Sequence, residues 1–358
     1  MTAEPAHANP LAEDLDHILA HTRSLWEPLR GRRIFVTGGT GFFGRWLLES
    51  FAYVNRSLAL SAHMVVLSRD PEKFALKAPH LMKDRAIQFV RGDVRSFTVA
   101  DARAQNCEAP FDFVIHAATE ASAQLNADEP LRMFDTIISG TRNALEFAVA
   151  TGAKRFLLTS SGAVYGPQPS EMTHIPEDFA GGPDCTQAGS AYGEGKRAAE
   201  LLCAFFRKQH GIEPLIARCF AFVGPFLPLD THFAIGNFIR DALAGGPIRI
   251  GGDGTPLRSY LHTADLAIWL WTILFRGTPM RPYNVGSAKD LTIGQLATTV
   301  RDAMGGTVEI VTAKTPDPKG AITRYVPDNT RATSELHLKE WVDLPDAIRK
   351  TARFASLS

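Results

Sequence analysis

The chain has 358 residues, which is enough for one large α/β domain and a smaller lobe. Lysine plus arginine and aspartate plus glutamate both number 38, so no net charge attracts nucleic acid or an anionic membrane. No apolar run approaches the roughly 20 residues that span a bilayer, and the acidic, polar N-terminus differs from a signal peptide. Composition therefore predicts a cytoplasmic enzyme without a nucleic-acid or membrane partner.

The N-terminal segment, residues 1–30, is predicted to form a helical extension. Leu15, Ile18, Leu25 and Trp26 recur at helical spacing, which predicts an amphipathic helix that packs on the main domain or on a second subunit.

Short apolar runs alternate with helical patterns over residues 31–225. Such runs, buried on both faces, predict a Rossmann-type α/β domain with a doubly wound parallel sheet. Beyond about residue 225, glycine- and proline-rich connections predict a smaller C-terminal lobe over 226–358, with a strand returning to the main sheet near Arg281–Val285. The predicted strands of the first domain are Arg33–Thr37, Met64–Leu67, Ile87–Val90, Phe113–His116, Phe156–Thr159 and Leu215–Arg218.

A glycine-rich turn follows the first predicted strand and precedes an amphipathic helical segment. Glycines at such a turn let the backbone approach phosphates and pack the next helix against the strand. This context predicts a pyrophosphate-binding turn. The residues assigned to it are Gly38, Gly41, Phe42, Phe43 and Gly44.

The second strand is followed by Ser68 and Arg69, where a binder of unphosphorylated dinucleotide usually has a carboxylate. A hydroxyl and a guanidinium suit a 2′-phosphate better, so NADP is the preferred cofactor. NAD is the alternative, because Asp70 could reach the ribose after a small shift of register.

The third and fourth strands end in further candidate cofactor residues, at the edge of the sheet where ligands bind this architecture. Asp93 and Val94 follow the third strand, and Asp93 is expected to accept a hydrogen bond from the adenine amino group. His116, Ala117 and Ala118 close the fourth strand, and the two alanines let the backbone approach the dinucleotide. The alternatives are a turn aspartate and a core histidine.

Tyr192 and Lys196 are four residues apart, on one face of a predicted helix. A nearby cation favours the phenolate, so we expect a lowered tyrosine pKa and proton transfer near neutral pH. Beside a dinucleotide, this pair predicts hydride chemistry on an alcohol or a ketone.

The ordered motifs TGGTGFFG, GDV, HAA, SSGAVYG, YGEGK and RCFAFVGP resemble those of the extended short-chain dehydrogenase/reductase family, in particular its NAD-dependent epimerase/dehydratase group. The likeness runs from about Gly31 to Leu336 and implies a nucleotide-diphosphate sugar as substrate. It implies that Tyr192 is the acid/base, that Lys196 binds the nicotinamide ribose, and that Ser161 hydrogen-bonds the reacting sugar oxygen.

The second half of the chain resembles the substrate-binding lobe of that family. The resemblance places Asn237 and Phe238 beside the nucleotide base, and Arg258 of the GDGTPLR loop on the diphosphate. An ion pair within the lobe is the alternative role for Arg258. The resemblance also implies a homodimer through the helices near Leu131–Ala150 and Ala191–Lys208. The scattered cysteines predict reduced thiols and no metal site.

Residues 162 and 163 bear on the reaction. Related dehydratases and decarboxylases carry an acidic residue there, whereas this chain has Gly162 and Ala163. Epimerisation at C4 is therefore the preferred function, with an NADPH-dependent 4-keto-sugar reductase as the alternative. Glu120 is a candidate substrate residue that could replace the missing base and restore a dehydratase, and a surface glutamate is the preferred alternative. A non-catalytic dinucleotide sensor is the hypothesis from another class, and the intact catalytic set argues against it.

Overall fold

The computed structural model describes residues 9–107, 109–119, 123–231, 233–317 and 322–357. Short 3₁₀ turns cover Arg23–Leu25, Glu27–Leu29, Gly162–Tyr165 and Ala188–Ser190. The strands are β1 (Arg33–Thr37), β2 (His63–Ser68), β3 (Ile87–Arg91), β4 (Phe113–His116), β5 (Arg155–Ser161), β6 (Glu213–Cys219), β7 (Phe222–Val223), β8 (Ile248–Ile250), β9 (Leu257–Arg258), β10 (Leu261–His262), β11 (Pro282–Val285), β12 (Leu291–Thr292), β13 (Ile310–Thr312) and β14 (Arg324–Tyr325). The helices are α1 (Ala12–Thr22), α2 (Phe42–Ser57), α3 (Pro71–Lys77), α4 (Pro79–Met82), α5 (Val99–Ala104), α6 (Ala123–Asp128), α7 (Pro130–Ala150), α8 (Ala191–His210), α9 (Ala234–Leu243), α10 (Thr263–Arg276), α11 (Ile293–Ala303), α12 (Thr330–Leu336) and α13 (Leu344–Leu357).

Seven parallel strands form the central sheet in the order β11-β6-β5-β4-β1-β2-β3. The predicted α/β Rossmann-type fold is confirmed, and the predicted strands differ from the observed ones by at most two residues at an end. The chain order reverses between β1 and β4, so their carboxyl ends flank a crevice. Ligands bind open α/β sheets at such a point.

Two apolar cores cover the two faces of this sheet. One core contains α1, α2 and α10, where the rings of Trp26 and Trp271 lie 4.6 Å apart between their centroids. The other core lies under α7 and α8, which pack against each other. The N-terminal helix α1 buries Leu15 and Ile18 against α10 and α2, as the spacing of its apolar residues predicts.

The C-terminal part of the chain builds a third core from α9, α11 and α13 around β8 and β13. Strand β9 lies between β12 and β14 in a small sheet, which brings the GDGTPLR loop towards the crevice. Strand β11 pairs with β6 and so returns to the main sheet, as predicted. The domain division at residue 225 stays a prediction. In the part of the chain that the structure describes, no helix has the length and apolar character needed to cross a membrane.

Candidate active site

The glycine-rich turn forms a cradle at the carboxyl end of β1. Gly38 has a φ of +75°, and a Cβ built on it would lie 2.4 Å from the carbonyl carbon of Ala117 and from the amide nitrogen of Ala118. A Cβ on Gly44 would lie 2.2 Å from the carbonyl oxygen of Gly38. Gly41 is the N-cap of α2, whose first-turn amides are unpaired within the helix and suit an anion. Any side chain at Gly38 or Gly44 would fill this cradle.

A cavity of about 1370 Å³ extends from the cradle towards the C-terminal lobe. Ligand pockets commonly measure about 300–1,000 Å³, so this cavity has room for more than one small ligand. Its lining includes the predicted residues Gly38, Gly41, Phe42, Phe43, Gly44, Ser68, Arg69, Asp93, Val94, Ala117, Ala118, Ser161, Tyr192, Lys196 and Arg258. Glu120 lies outside the described residues.

The reaction centre lies where β5 and α8 meet. Ser161 ends β5, and Tyr192 and Lys196 lie in the first two turns of α8. The glycines of YGEGK explain how the helix comes so close: a Cβ on Gly193 would lie 2.8 Å from the carbonyl oxygen of Ala163. The motif therefore combines two reactive side chains with the small residues that place them.

Burial controls the charge of this pair. Desolvation raises the pKa of Tyr192, and hydrogen bonding from the Ser161 hydroxyl opposes that rise. Burial also lowers the pKa of Lys196 to about 8. Its ammonium donates to Thr119 Oγ1 at 2.7 Å and to the Thr159 carbonyl at 2.8 Å, while Nζ lies 5.9 Å from the centroid of the Tyr192 ring.

Desolvation is the largest influence on the pKa of Tyr192 and raises it, and lowering of that pKa by Lys196 stays a prediction. Ser161 is the group that favours the phenolate. Lys196 stays protonated below about pH 8, where its donors point at two oxygen acceptors on the cavity wall.

The opposite end of the cavity is lined by Ser68 and Arg69. Asp70 caps α3 by accepting from the Lys73 amide at 2.9 Å, and Ser68 Oγ accepts from the Asp70 amide at 3.2 Å. Asp93 lines the cavity in a bidentate pair with Arg95, whose hydrogen bonds lower the pKa of the carboxyl. Asp70 is therefore engaged away from the cavity, whereas Ser68 and Arg69 face it.

His116 does not face the cavity, although the sequence assigned it to the cofactor site. Its Nδ1 lies 2.7 Å from Thr37 Oγ1 and its Nε2 lies 3.1 Å from Thr141 Oγ1, inside the core. Burial lowers its pKa to about 3, so the ring is neutral. The side chain joins β1, β4 and α7, and the alternative role as a core histidine describes its position.

Of the residues assigned to the substrate from the sequence, some line the cavity and others do not. Arg258 lines it, with Nη1 donating to the Leu257 carbonyl at 2.7 Å; in the described ranges it forms no salt bridge, so the ion-pair alternative is not observed. Phe238 is buried in the third core and Asn237 accepts from Arg240, so neither lines the cavity. The start of α9 lines it instead, through Phe233, Ala234 and Ile235.

Two aromatic residues at the reaction centre were missed by sequence reasoning. Tyr325 and Phe220 line the cavity beside Ser161, and their ring centroids lie 4.7 Å apart. A Cβ on Gly162 would lie 2.7 Å from the Tyr325 hydroxyl oxygen and from two ring carbons of Phe220. The position without a carboxylate is thus filled by the Phe220 ring and the Tyr325 hydroxyl, which come from distant parts of the chain.

Comparisons with known proteins agree with this geometry. The profile of the NAD dependent epimerase/dehydratase family matches residues 34–286. The chain belongs to this family. One relative is UDP-glucuronic acid decarboxylase 6 of Arabidopsis thaliana, 32% identical over 88% of this chain and 86% of the relative. UDP-glucuronic acid decarboxylase 5 of the same plant is 30% identical over 88% of this chain and 87% of the relative.

Solved structures share the fold. A UDP-glucose 4-epimerase of Thermotoga maritima superposes with a TM-score of 0.76 at 23% identity, covering 91% of this chain and all of that one. A dTDP-glucose 4,6-dehydratase of Streptomyces venezuelae has a TM-score of 0.74 at 25% identity, covering 90% of this chain and 97% of that one. The protein is therefore an enzyme of an NAD-dependent, nucleotide-sugar family. The glycine cradle and the cavity fit a dinucleotide, and no cluster able to hold a metal occurs among the described residues.

Proposed function

We propose that the protein is an NAD(P)-dependent nucleotide-sugar epimerase that acts by reversible hydride transfer at C4 of the sugar. The observation that supports this most is the grouping of Ser161, Tyr192 and Lys196 on one wall of a cavity that continues from the glycine cradle to Arg258. These three side chains supply an acid/base, a hydroxyl donor and a buried cation, and oxidation of an alcohol needs no further proton-transfer group.

The proton moves between the C4 hydroxyl of the sugar and the phenol oxygen of Tyr192. Ser161 lowers the pKa of Tyr192 and so favours the phenolate, and it would orient the sugar oxygen. A bound nicotinamide dinucleotide would supply the hydride acceptor and donor for C4 of the sugar. Lys196 would hold the nicotinamide ribose with the donors that now reach Thr119 and Thr159.

NADP is the proposed cofactor, with NAD as the alternative. Arg69 and Ser68 line the end of the cavity where a 2′-phosphate would lie, and Asp70 is occupied as a helix cap. A guanidinium suits a phosphate by bidentate geometry, whereas a ribose diol is usually bound by a carboxylate.

Dehydration is disfavoured at the same site. Gly162 has no room for a side chain, because the Phe220 ring and the Tyr325 hydroxyl occupy the space into which one would project. Neither Gly162 nor Ala163 can supply the carboxylate that related dehydratases place there. Tyr325 keeps its proton, since burial raises its pKa well above the usual range.

A second candidate is decarboxylation of a nucleotide-linked uronic acid. It is favoured by the relatives, which include UDP-glucuronic acid decarboxylases at 30% and 32% identity. A decarboxylase also begins by oxidising C4, so Ser161, Tyr192 and Lys196 would serve it in the same roles. An NADPH-dependent 4-keto-sugar reductase would use them once, in one direction.

The nucleotide-diphosphate sugar would place its diphosphate at Arg258, whose guanidinium lines the cavity without an acidic partner in the described ranges. We also propose a homodimer through α7 and α8. Leu131, Leu201 and Phe205 on these helices are 71%, 53% and 48% exposed, and light scattering of the purified protein tests the assembly.

The deciding experiment incubates the protein with UDP-glucose, UDP-galactose and UDP-glucuronic acid, each with NAD and with NADP, and identifies the products by chromatography. A separate incubation combines a nucleotide 4-keto sugar with NADPH. Interconversion of the hexoses without net cofactor consumption supports the epimerase. Release of CO₂ from UDP-glucuronic acid supports the decarboxylase. Stoichiometric oxidation of NADPH with a 4-keto sugar supports the reductase, and binding without any turnover supports the sensor.

A further inference from the structure

Glu200 lies one helical turn beyond Lys196 on α8, beside the end of β5 that carries Ser161. Its side chain is 12% exposed, and its carboxylate accepts from the Ser160 hydroxyl at 2.6 Å. Lys196 Nζ donates to the carbonyl of the preceding residue, Thr159, at 2.8 Å. Two successive turns of α8 thus hold two successive residues of β5, directly before Ser161.

Arg218 balances the charge of Glu200. It lies on β6 opposite Ser160 in the register of the sheet. Its guanidinium binds both carboxylate oxygens of Glu200, with Nε donating to Oε1 at 3.0 Å and Nη2 donating to Oε2 at 2.7 Å. The Arg218 side chain is 14% exposed, so a largely buried carboxylate has a charged partner with bidentate geometry.

The same arginine also reaches the chain on the other side of Ser161. Its Nη1 donates to the Tyr165 hydroxyl at 2.9 Å, and that hydroxyl donates to Asn284 Oδ1 at 2.7 Å. Tyr165 ends the 3₁₀ turn that begins directly after Ser161. Ser161 therefore lies between two anchored residues, Ser160 and Tyr165. Side chains alternate along a strand, so a fixed Ser160 also fixes the direction in which Ser161 points.

We propose that Glu200 is a positioning residue that holds the end of β5 against α8 and thereby sets the place of Ser161 relative to Tyr192. The proposal rests on the proposed function, since it gives Glu200 a part in placing the residues that would transfer the C4 proton. Glu200 acts through Ser160 and Arg218. A misplacement of about 1 Å at a reaction centre can cost about a hundredfold in rate, so a small displacement of β5 is measurable.

Two variants separate the contact with β5 from the ion pair. Ser160→Ala removes only the hydroxyl and leaves Glu200 paired with Arg218, so the buried charges stay balanced. Glu200→Gln removes the negative charge from the Arg218 guanidinium as well, so it is the stronger perturbation of the fold. Ser160→Ala therefore keeps the proposal testable if Glu200→Gln does not fold.

Matched controls lie on α2, which packs on the other face of the sheet. Ser50 is buried and its hydroxyl donates to the Trp46 carbonyl at 2.6 Å, so Ser50→Ala also removes a buried hydrogen bond. The Glu49 side chain is 5% exposed and pairs with Arg45 at 2.8 Å, so Glu49→Gln also breaks a buried ion pair. Both controls should keep the wild-type kcat.

The first measurement is turnover of UDP-glucose or UDP-glucuronic acid, whichever the protein converts. Ser160→Ala should lower kcat about three- to tenfold and Glu200→Gln about ten- to a hundredfold, with KM and dinucleotide affinity within about twofold of the wild type. A purely structural role would reduce the number of active sites, which titration with the dinucleotide counts, and would leave kcat per site unchanged. In the Glu200→Gln background, Ser160→Ala should lower kcat less than about twofold further, because the two side chains form one contact.

Hydrogen–deuterium exchange measures the same contact without substrate or cofactor. Peptides that contain residues 158–165 should exchange at least about tenfold faster in Glu200→Gln than in the wild type, since the end of β5 opens more readily. Ser160→Ala should change the exchange in the same direction, and Glu49→Gln should leave it unchanged.

The proposal is overturned if Ser160→Ala keeps the wild-type kcat, if Ser50→Ala loses as much, or if residues 158–165 exchange at the wild-type rate in Glu200→Gln. These outcomes are separable from failure of the proposed function, because the exchange needs neither substrate nor cofactor. A protein that shows the faster exchange but converts no nucleotide sugar retains the hold of Glu200 on β5 and refutes the epimerase. A protein that converts a nucleotide sugar with unchanged kcat and exchange in both variants refutes the role of Glu200 alone.

Discussion

Replacing Gly38 by alanine tests the cradle that receives the dinucleotide. Two separate costs follow from the structure. An L-residue at a φ of +75° costs about 1–2 kcal/mol, and the new Cβ meets backbone atoms of Ala117 and Ala118 at 2.4 Å. Backbone atoms cannot rotate away, so overpacking adds about 1–3 kcal/mol. We therefore expect Gly38→Ala to lower the free energy of unfolding by about 2–5 kcal/mol.

Gly152 provides a control with the same backbone strain and no contact. Its φ is +79°, and nothing lies within 4 Å of a Cβ built on it. Gly152→Ala should lose only the first cost, about 1–2 kcal/mol. Urea unfolding of the dinucleotide-free proteins measures both values. Calorimetry should show dinucleotide affinity at least about tenfold weaker in Gly38→Ala and unchanged in Gly152→Ala, since about 1.4 kcal/mol corresponds to tenfold. Equal destabilisation of the two variants, or unimpaired binding by Gly38→Ala, would refute the close approach.

Three further substitutions test other parts of the cavity. Arg69→Ala should weaken NADP binding by about tenfold or more and NAD binding only slightly, because a hydrogen-bonded charge contributes about 1.5–3 kcal/mol. The wild type should lose stability as the pH falls from 6.5 to 5, because His116 of the unfolded chain takes up a proton while the buried ring, with a pKa of about 3, stays neutral. His116→Asn removes this group, so its free energy of unfolding should fall by about 2 kcal/mol less over the same range. Gly162→Ala should destabilise the protein by about 1–3 kcal/mol and reduce turnover, because its Cβ would displace the neighbouring rings.

Each of these three substitutions has a matched control elsewhere in the chain. Arg103 is an exposed arginine away from the cavity, so Arg103→Ala should leave both dinucleotide affinities as they are. His63 is an exposed histidine on β2, so His63→Asn is the matched substitution with which His116→Asn is compared. Gly189 has no atom within 4 Å of a built Cβ, so alanine there should be tolerated. An equal loss of NADP affinity in both arginine variants would refute the role of Arg69. An unchanged dependence of stability on pH in His116→Asn would refute the burial of a neutral His116, and full stability of Gly162→Ala would refute the close packing at Gly162.

The sequence predicted the parts of the site that depend on local pattern. Strands of the central sheet are short apolar runs, and their carboxyl ends carry the cradle, Ser161 and the cofactor-side residues. The apolar pattern of a strand buried on both faces does not indicate which way each side chain points. His116 could face the cavity or the core, and its two threonine partners come from β1 and α7, which no local pattern specifies.

Residues brought in by tertiary pairing were harder to predict. Tyr325 belongs to a strand of two residues whose position is set by β9, so neither periodicity nor spacing pointed to it. The assignment to Asn237 and Phe238 missed the cavity by a few residues, because only the start of α9 reaches it. The effect of Lys196 on Tyr192 was predicted from spacing, whereas burial of both groups determines the pKa of each.

The most direct test of the proposed chemistry follows the C4 hydrogen of the sugar itself. UDP-glucose deuterated at C4 is incubated with the protein and cofactor, and the position of the label in the product is read by nuclear magnetic resonance. We expect the wild type to form UDP-galactose that retains deuterium at C4. Tyr192→Phe should form it at least about a hundredfold more slowly, which is within the rate factor that a general acid/base contributes. The control Tyr283→Phe, which changes a buried tyrosine on β11, should form it at the wild-type rate. Product that has lost the label from C4, or undiminished conversion by Tyr192→Phe, would contradict the proposed chemistry.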